Sequence, residues 1–252
     1  AMTEPLLHID DITVHYSRLA AIRGVSISVN EGEIVCVVGP NGAGKSTTLL
    51  TVSGILNPTS GNVMFAGNRI NGMRPENVAR LGISQVPEGR HVFTALTVEE
   101  NLRVGAAMRK DKAQVNKDVK WVMDLFPILA ERRRQSAGKL SGGEQQMLVI
   151  ARALLTNPKI MTIDEPSLGL APNIVDRVYE VLTTLRKERG LTLLIVEQSS
   201  ERALKAADRI YVLRSGQIQL EGSAADLQDG EEVRKAYFGF SEGTEHLGEV
   251  EF

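Results

Sequence analysis

The sequence predicts an α/β fold that combines a mixed central sheet, an antiparallel β layer and an inserted α-helical subdomain. Short apolar runs bounded by turn residues, such as Ile34–Val38, are typical of buried strands. Residues 97–157 instead place their apolar side chains at helical spacing. With 252 residues, the chain is long enough for one full core with a sizeable insertion.

The composition is that of an ordinary globular protein. Hydrophobic residues make up 42% and charged residues 24% of the chain, and the formal net charge is -2, which gives no electrostatic basis for binding nucleic acid. The single cysteine, Cys36, excludes a disulfide or a cysteine zinc site within the chain, so we expect a reducing compartment. No run approaches 18 consecutive apolar residues and no signal-peptide pattern is found, so we expect a cytoplasmic protein without a membrane span.

The strongest local pattern is a phosphate-binding loop directly after the strand Ile34–Val38. The spacing G-x-x-x-x-G-K-[ST] is met by Gly39, Gly44, Lys45 and Ser46. The other loop residues expected to contact a nucleotide are Asn41, Gly42 and Thr47. Glycine lets backbone N–H groups converge on phosphate oxygens, and the helix predicted over 48–56 adds the partial positive charge of its N-terminus.

Two side chains of this loop have specific tasks. Lys45 is expected to reach the β- and γ-phosphates of a nucleoside triphosphate, and Ser46 is expected to bind Mg²⁺. The alternative is an ordinary Gly-rich turn between a strand and a helix. Accidental matches to the full spacing are rare in a chain of this length, so the phosphate loop is the better interpretation.

An antiparallel β layer is predicted around this loop. Residues 6–14 and 22–29 alternate apolar and polar side chains, and residues 62–65 form a further short strand. Tyr16 lies between the first two strands on a predicted exposed bend, where its ring can stack on a purine base. A half-buried strand tyrosine is the alternative interpretation of this residue.

A second core strand is predicted over 80–86. Gln85, near its end and before the Pro-Glu-Gly turn, is a candidate for contact with Mg²⁺ or with an attacking water. A glutamine that only terminates the strand is the alternative.

The inserted helices begin with a capping signature at Thr97. This signature opens a helix predicted to extend through Met108, and residues 115–126 form another helix. Both carry apolar residues on one face, which is typical of a small helical subdomain.

A second candidate anion site lies later in this insertion. Ser141, Gly142 and Gly143 precede an apolar helix predicted over 147–155. Exposed N–H groups, a hydroxyl and the helix dipole together favour an anion. An ordinary capped helix is the alternative, although two glycines lower helix stability.

Two adjacent carboxylates end the buried strand predicted over 160–165. Because side chains alternate along a strand, we expect Asp164 to face Mg²⁺ and Glu165 to act as general base toward a water nucleophile. A turn or helix cap is the alternative interpretation of this pair.

The remaining chain predicts three further elements and a tail. A core strand is expected over 192–196, a hairpin of strands over 209–214 and 217–220, and a helix over 224–238. Residues 241–252 are rich in Gly and Glu, and we expect them to be disordered.

The motifs and their order resemble the nucleotide-binding subunit of ABC transporters, a branch of the P-loop NTPases. The Walker A motif, Q-loop, signature and Walker B motif of that family correspond to residues 39–47, Gln85, residues 140–146 and residues 160–165. The resemblance covers nearly the whole chain. It implies an ABC ATPase fold with a RecA-like ATP-binding core and β layer over 3–86 and 158–240, and a helical subdomain over 87–157.

The resemblance also implies a head-to-tail dimer that binds ATP with Mg²⁺. Ser141 and Gly143 of one chain would contact the γ-phosphate held by the Walker A motif of its partner. Tyr16 would stack on adenine. The second candidate anion site, at residues 141–143, would then bind the nucleotide of the partner chain.

The same resemblance assigns catalytic tasks. Glu165 would polarise the attacking water, Lys45 would stabilise the developing charge, and Gln85 would report the γ-phosphate to the helical subdomain.

Within the family, the branched-chain amino-acid (LivF-type) ATPases are the most similar group. Residues 86–93, 96–102, 165–172 and 196–198 carry this resemblance. Two positions depart from the general family: Ala171, where Asp is usual, and Gln198, where His is usual. Gln198 can form a hydrogen bond with the γ-phosphate but cannot carry a proton near neutral pH, so we expect altered tuning of an active enzyme.

The expected protein is the ATPase subunit of an importer for branched-chain amino acids on the cytoplasmic face of the cell membrane. Its implied partners are membrane permease subunits, a related second ATPase or a second copy, and indirectly a periplasmic or extracellular substrate-binding protein. No nucleic-acid partner is expected.

Other functions remain open at this stage. An importer of urea or short amides would use a similar ATPase, but Glu88 stands where that group is expected to carry Gln. A soluble ABC protein would usually carry two cassettes or a coiled coil, and neither is found. A P-loop kinase or GTPase would lack the signature.

Overall fold

The computed structural model describes residues 4–239. In this range the strands are β1 (Leu7–Tyr16), β2 (Leu19–Val29), β3 (Ile34–Val38), β4 (Ser60–Phe65), β5 (Asn68–Arg69), β6 (Ile83–Val86), β7 (Ile160–Asp164), β8 (Thr192–Glu197), β9 (Arg209–Arg214) and β10 (Gln217–Ser223). The α-helices are α1 (Lys45–Val52), α2 (Pro75–Leu81), α3 (Val98–Gly105), α4 (Lys112–Leu125), α5 (Pro127–Glu131), α6 (Gly142–Leu154), α7 (Pro172–Arg189), α8 (Ser200–Ala206) and α9 (Glu231–Phe238).

Two sheets form the framework. Six strands make a mixed sheet in the order β10-β9-β3-β8-β7-β6, in which only β10 runs antiparallel to its neighbour. The other four make an antiparallel sheet in the order β2-β1-β4-β5. The helices α3 to α6 are inserted in the chain between β6 and β7. The predicted fold class is confirmed.

Strand β3 lies between two hydrophobic cores. Val35 and Val37 pack with residues of the antiparallel sheet. Ile34, Cys36 and Val38 belong to the other core, which includes the inserted helices. Both faces of β3 are therefore buried, which explains its uninterrupted apolar run.

The carboxyl ends of β3, β7 and β8 meet at one edge of the mixed sheet. The register places Val38 beside Glu197 and Asp164 beside Val196. The segments that follow these strands therefore converge, which is where open α/β sheets bind their ligands.

Two predicted boundaries near the loop were wrong. The helix expected over 48–56 begins at Lys45 and ends at Val52, because Gly44 takes a left-handed conformation and starts the helix directly. The strand expected over 80–86 begins only at Ile83, since residues 80 and 81 belong to α2. Pro75 at the first turn of α2 was an available signal for that helix.

Boundaries were also wrong in the helical and C-terminal segments. Helix α3 ends at Gly105, so Met108 lies outside it, and α6 begins at Gly142 rather than at 147. The helix expected over 224–238 is restricted to Glu231–Phe238 because β10 extends to residue 223 and turns follow it. The tail predicted over 241–252 lies outside the described residues.

Candidate functional site

The phosphate-binding loop joins β3 to α1 through conformations that favour glycine. Gly42 and Gly44 have φ angles of 78° and 108°, in the left-handed region. A Cβ atom on Gly39 would lie 2.1 Å from the carbonyl oxygen of Leu213, so a larger residue does not fit. Within residues 4–239, no side chain caps α1, and its first N–H groups are left for an anion.

Lys45 is buried at the base of this loop, with 4% of its surface exposed. Its Nζ atom donates hydrogen bonds to the carbonyl oxygens of Gly39 and Pro40, at 2.8 and 3.0 Å. The same atom forms an ion pair with Oε1 of Glu165 at 3.2 Å. A buried ammonium group needs an anionic partner, and Glu165 supplies one at the place where phosphates would compete for the lysine.

Asp164 is buried at the end of β7, and its Oδ1 atom has no hydrogen-bond partner in the described part of the chain. Burial, the largest cause, raises the pKa of Asp164 to about 6. The carboxylates of Glu165 and Glu88 raise this pKa further, whereas a hydrogen bond with Ser46 lowers it. A buried carboxylate oxygen beside a serine hydroxyl matches the oxygen ligands that Mg²⁺ prefers, so these residues fit that ion.

Glu165 follows β7 rather than belonging to it. Its φ angle is 46°, a left-handed value that is uncommon outside glycine, and its N–H donates to the carbonyl of Val196 at 3.0 Å. The predicted strand alternation was therefore the wrong reason for separating Asp164 from Glu165, because the backbone turns between them. Gln198 donates from Nε2 to Oε2 of Glu165 at 2.7 Å. With Lys45 on the other oxygen, both carboxylate oxygens are held.

Tyr16 ends β1 beside the loop. Its side chain is 47% exposed, and its hydroxyl oxygen lies 3.4 Å from Oγ1 of Thr47. The hydroxyl thus contacts the loop while the ring keeps exposed surface, which leaves it available for stacking.

These side chains share one cavity of about 490 Å³. The predicted residues that line it are Tyr16, Asn41, Gly42, Gly44, Lys45, Ser46, Thr47, Glu165 and Gln198. Gly39 and Asp164 act on it indirectly, through contacts with Lys45 and Ser46. The volume is within the range of roughly 300–1,000 Å³ that is usual for small-molecule sites.

Sequence reasoning missed three lining residues: Ala21, Glu88 and Leu168. Glu88 stands in the turn after β6, close to Gln85 in sequence, and that proximity was its only signal. Ala21 and Leu168 carry no distinguishing chemistry, so only the folded arrangement identifies them.

Gln85 is not brought into this cavity. It pairs with Thr162 in the sheet and lines a separate cleft of about 280 Å³, together with Phe93, Val104 and Met108. Its contact with Mg²⁺ or water stays a prediction.

The signature residues also lie outside this cavity. Ser141 caps α6: its Oγ accepts from the N–H of Glu144 at 3.3 Å, and the Glu144 carboxylate accepts from the N–H of Ser141 at 2.7 Å. A Cβ on Gly142 would lie 2.5 Å from the guanidinium of Arg90, and one on Gly143 would lie 2.6 Å from an isoleucine side chain. Close packing therefore favours glycine at 143 independently of any anion, whereas at 142 the flexible Arg90 side chain can move aside.

Two negative findings bear on the site. Groups of three or more His, Cys, Asp or Glu side chains able to hold a metal ion are absent from residues 4–239. Mg²⁺ commonly keeps water and phosphate ligands beside one or two protein groups, so such a group is not required. In the same range, no helix has the length and apolar character needed to cross a membrane.

Comparisons with known proteins identify the family. The model of the ABC transporter family matches residues 22–168. The high-affinity branched-chain amino acid transport ATP-binding protein BraG of Pseudomonas aeruginosa is 46% identical over 235 residues, which cover 93% of this chain and 100% of the relative. The probable branched-chain amino acid transport ATP-binding protein LivF of Archaeoglobus fulgidus is 38% identical over 224 residues, covering 89% and 94%.

Solved structures of ATP-binding cassettes share the fold. A crystal structure of a nucleotide-free ATP-binding cassette from an ABC transporter superposes with a TM-score of 0.80 and 28% identity, covering 93% of this chain and 99% of that one. The fold of the present chain, its phosphate-binding loop and the matched family model lead to one conclusion: the chain belongs to the ABC transporter family and is an ATPase.

Proposed function

We propose that this chain is the ATP-hydrolysing subunit of an ABC importer for branched-chain amino acids, and that it works on the cytoplasmic face of the cell membrane. The observation that carries the enzymatic part is the set of contacts joining Lys45, Glu165 and Gln198 in one cavity beside Tyr16. The names of the relatives BraG and LivF support the substrate class.

ATP is proposed to lie along the loop, with its adenine on the half-exposed ring of Tyr16. The N–H groups of residues 39–47 and the N-terminus of α1 would receive the phosphates. Lys45 would move its charge from Glu165 to the β- and γ-phosphates, because these carry more negative charge than a carboxylate.

Hydrolysis then follows from the release of Glu165. Once Lys45 pairs with phosphate, the carboxylate of Glu165 loses its ion pair and can accept a proton from water. Gln198 keeps its hydrogen bond to Oε2 and so holds the direction of this base. Lys45 would stabilise the charge that develops on the transferred phosphoryl group.

Mg²⁺ fits the oxygen atoms of Ser46 and Asp164, with Gln85 as a further predicted ligand. When bound, it would neutralise charge on the β- and γ-phosphate oxygens. The orphaned Oδ1 of Asp164 is the observation that supports this ion.

Ser141, Gly142 and Gly143 are proposed to complete the cavity of another chain. These residues lie outside the cavity of their own chain, at the N-terminus of α6. A helix N-terminus favours an anion, which the other chain's nucleotide would supply. The partner is a related second ATPase or a second copy of this chain, and we favour the heterodimer. ATP would close the pair, and hydrolysis would open it.

The permease is proposed to contact the cleft that contains Gln85. Phe93, Val104 and Met108 line this cleft and are 48%, 40% and 50% exposed, which is unusual for large apolar side chains grouped together. Movement there would reach a substrate-binding protein only through the permease. The net charge of -2 gives no support for a nucleic-acid partner.

The division into an ATP-binding core, over 3–86 and 158–240, and a helical subdomain over 87–157 is part of this proposal. It is supported by the insertion of α3 to α6 between β6 and β7.

The enzymatic part is tested by Glu165→Gln in the purified full-length protein. Loss of the base should lower kcat for ATP by about 10³-fold, with ATP binding retained. Glu88→Gln is the matched control, because it changes another carboxylate of the same cavity, and it should lower kcat by far less. Equal rates for wild type and Glu165→Gln would overturn the assignment.

The substrate is tested in liposomes that contain the permease, both ATPases and the binding protein. ATP-dependent uptake of labelled leucine is expected. Uptake of urea without leucine would assign the chain to the other importer class.

A further inference from the structure

Glu197, the last residue of β8, is a buried carboxylate outside the nucleotide cavity. Only 1% of its surface is exposed. Among the described residues, no Lys, Arg or His side chain forms an ion pair with it. Burying a carboxyl group without a cationic partner is unfavourable, so the residue needs other strong contacts.

Three donors stabilise this carboxylate, and they divide between its two oxygens. Oε2 accepts from the hydroxyl of Ser167 at 3.0 Å and from the N–H of Gln198 at 3.2 Å. Oε1 accepts from the hydroxyl of Tyr179 at 2.8 Å. One oxygen therefore contacts the segments that carry the proposed catalytic groups, and the other contacts only α7.

The Tyr179 hydroxyl remains protonated and therefore continues to donate its hydrogen bond to Oε1. Burial, followed by the nearby charge of Glu197, raises the pKa of Tyr179 well above its ordinary value. Its hydroxyl consequently stays protonated throughout the physiological range and keeps donating.

The backbone of Glu197 adds a link to the phosphate-binding loop. Its carbonyl oxygen accepts from the N–H of Gly39 at 3.2 Å. Replacing the side chain leaves this backbone hydrogen bond in place. Side-chain variants can therefore distinguish an effect on the rate of hydrolysis from an effect on nucleotide affinity.

The loop that Ser167 belongs to needs such support. It begins at Glu165, whose left-handed backbone is unfavourable for a residue with a side chain. Strained conformations persist only when their surroundings fix them. The N–H of Leu168 bonds back to the carbonyl of Glu165 at 3.1 Å, and Ser167 ties the same turn into the core through Glu197.

We propose that Glu197 is a positioning residue for hydrolysis, which through Oε2 fixes both Glu165 and Gln198. Ser167 transmits the position of Glu197 to the turn that carries the base. The hydrogen bond from the Gln198 N–H to Oε2 of Glu197 fixes the backbone of Gln198. The side chain of Gln198 in turn donates to the carboxylate of Glu165. This inference rests on the proposed role of Glu165 in ATP hydrolysis.

The split between the two oxygens gives a matched pair of variants, Ser167→Ala and Tyr179→Phe. Each removes one hydroxyl that donates to the same buried carboxylate. Ser167→Ala should lower kcat about tenfold, because small displacements of a reacting group are costly, whereas Tyr179→Phe should lower kcat less than about threefold. The dissociation constant for ATP should change less than about twofold in both, since the backbone bond to Gly39 is kept.

A purely structural role predicts a different pattern. Both variants would then lower the thermal unfolding midpoint and kcat together, and Tyr179→Phe would do so at least as strongly as Ser167→Ala. That pattern, or an unchanged kcat in Ser167→Ala, would overturn the proposal.

Glu197→Gln and Glu197→Ala provide a second series in case either hydroxyl variant is poorly folded. Gln keeps one acceptor oxygen, so kcat should fall in the order wild type, Gln variant, Ala variant, with ATP affinity preserved. A wild type that binds ATP without hydrolysing it would count against the proposed function. A wild type that hydrolyses ATP as fast as Glu197→Ala would count against this inference alone.

Discussion

The cavity around Lys45 and the N-terminus of α6 are both proposed to receive an anion, but they differ in what surrounds them. In the cavity, every proposed catalytic group has a partner: Lys45 pairs with Glu165, and Glu165 accepts from Gln198. At α6, Ser141 and Glu144 form a capping box and nothing brings them to the cavity. We propose that the first region holds the groups for hydrolysis and that the second contacts the nucleotide of another chain.

The largest expected effect separates capping from phosphate contact at Ser141. Both Asp and Ser are good N-caps, so Ser141→Asp should keep α6 stable while placing a negative charge where the partner's γ-phosphate is proposed to lie. We expect kcat to fall by about 10²–10³-fold. Steady-state ATPase measurements check the rate, and thermal unfolding checks the cap.

Ser141→Ala is the control for this effect. It removes the cap, at a cost of about 1 kcal/mol in stability, without adding charge. It should therefore be less stable than Ser141→Asp yet more active. The reverse order of activities would show that α6 does not meet phosphate.

The next effect concerns the free-energy cost of burying the Asp164 carboxylate, which lies behind the cavity beside Ser46. The pKa of Asp164 is raised to about 6 from an ordinary 3.8. A raised carboxyl pKa means that the folded state binds the proton more tightly, so stability is lost as pH rises from about 4 to 6. A shift of this size corresponds to about 3 kcal/mol.

Asp164→Asn should therefore stabilise the nucleotide-free protein in EDTA at pH 7 by up to about 3 kcal/mol, and this gain should shrink toward pH 4. Chemical denaturation across that pH range measures it. The exposed Asp124→Asn is the control and should change stability by less than about 0.5 kcal/mol. A gain from Asp164→Asn that does not vary with pH would contradict the assigned burial cost.

The smallest effect tests the outer end of the cavity. Tyr16→Ala should weaken ATP binding by about tenfold, because base stacking on an aromatic ring contributes roughly 1–3 kcal/mol. The value of kcat at saturating ATP should change little, since the proposed stacking is remote from the phosphates. Tyr16→Phe keeps the ring and should bind ATP nearly as well as wild type in a titration with a fluorescent nucleotide. Equal affinities for the Ala and Phe variants would exclude stacking.

Much of the fold and the loop could be predicted because single residues carried the constraint. The run Ile34–Val38 has apolar residues on both faces, and only a strand buried on both sides uses them all. The glycines before Lys45 follow from conformations that other residues avoid. These signals are local, so they survive without knowledge of the tertiary structure.

The errors arose where local signals competed. Residues 80 and 81 precede the strand residues 83–86 and were assigned to the same strand, but they belong to the helix that begins at Pro75 and ends before the left-handed Gly82. Gln85 was predicted to contact Mg²⁺ or the attacking water from its place near a strand end. It lines another cleft here, so that contact stays a prediction.

Contacts between residues far apart in the chain could not be predicted from the sequence. Glu197 looked like an ordinary residue at the end of a strand, because its partners Ser167 and Tyr179 lie 30 and 18 positions away. Glu88 likewise faces the cavity only because β6 and the loop are brought together.

The most direct test of the central comparison is whether the two regions meet across two chains. The molar mass of Glu165→Gln is measured by light scattering with and without MgATP, alone and mixed with the related ATPase. We predict that MgATP doubles the mass in at least one of these preparations and that adding Ser141→Asp prevents it. A mass of one chain in both preparations, with ATP bound, would contradict the composite site.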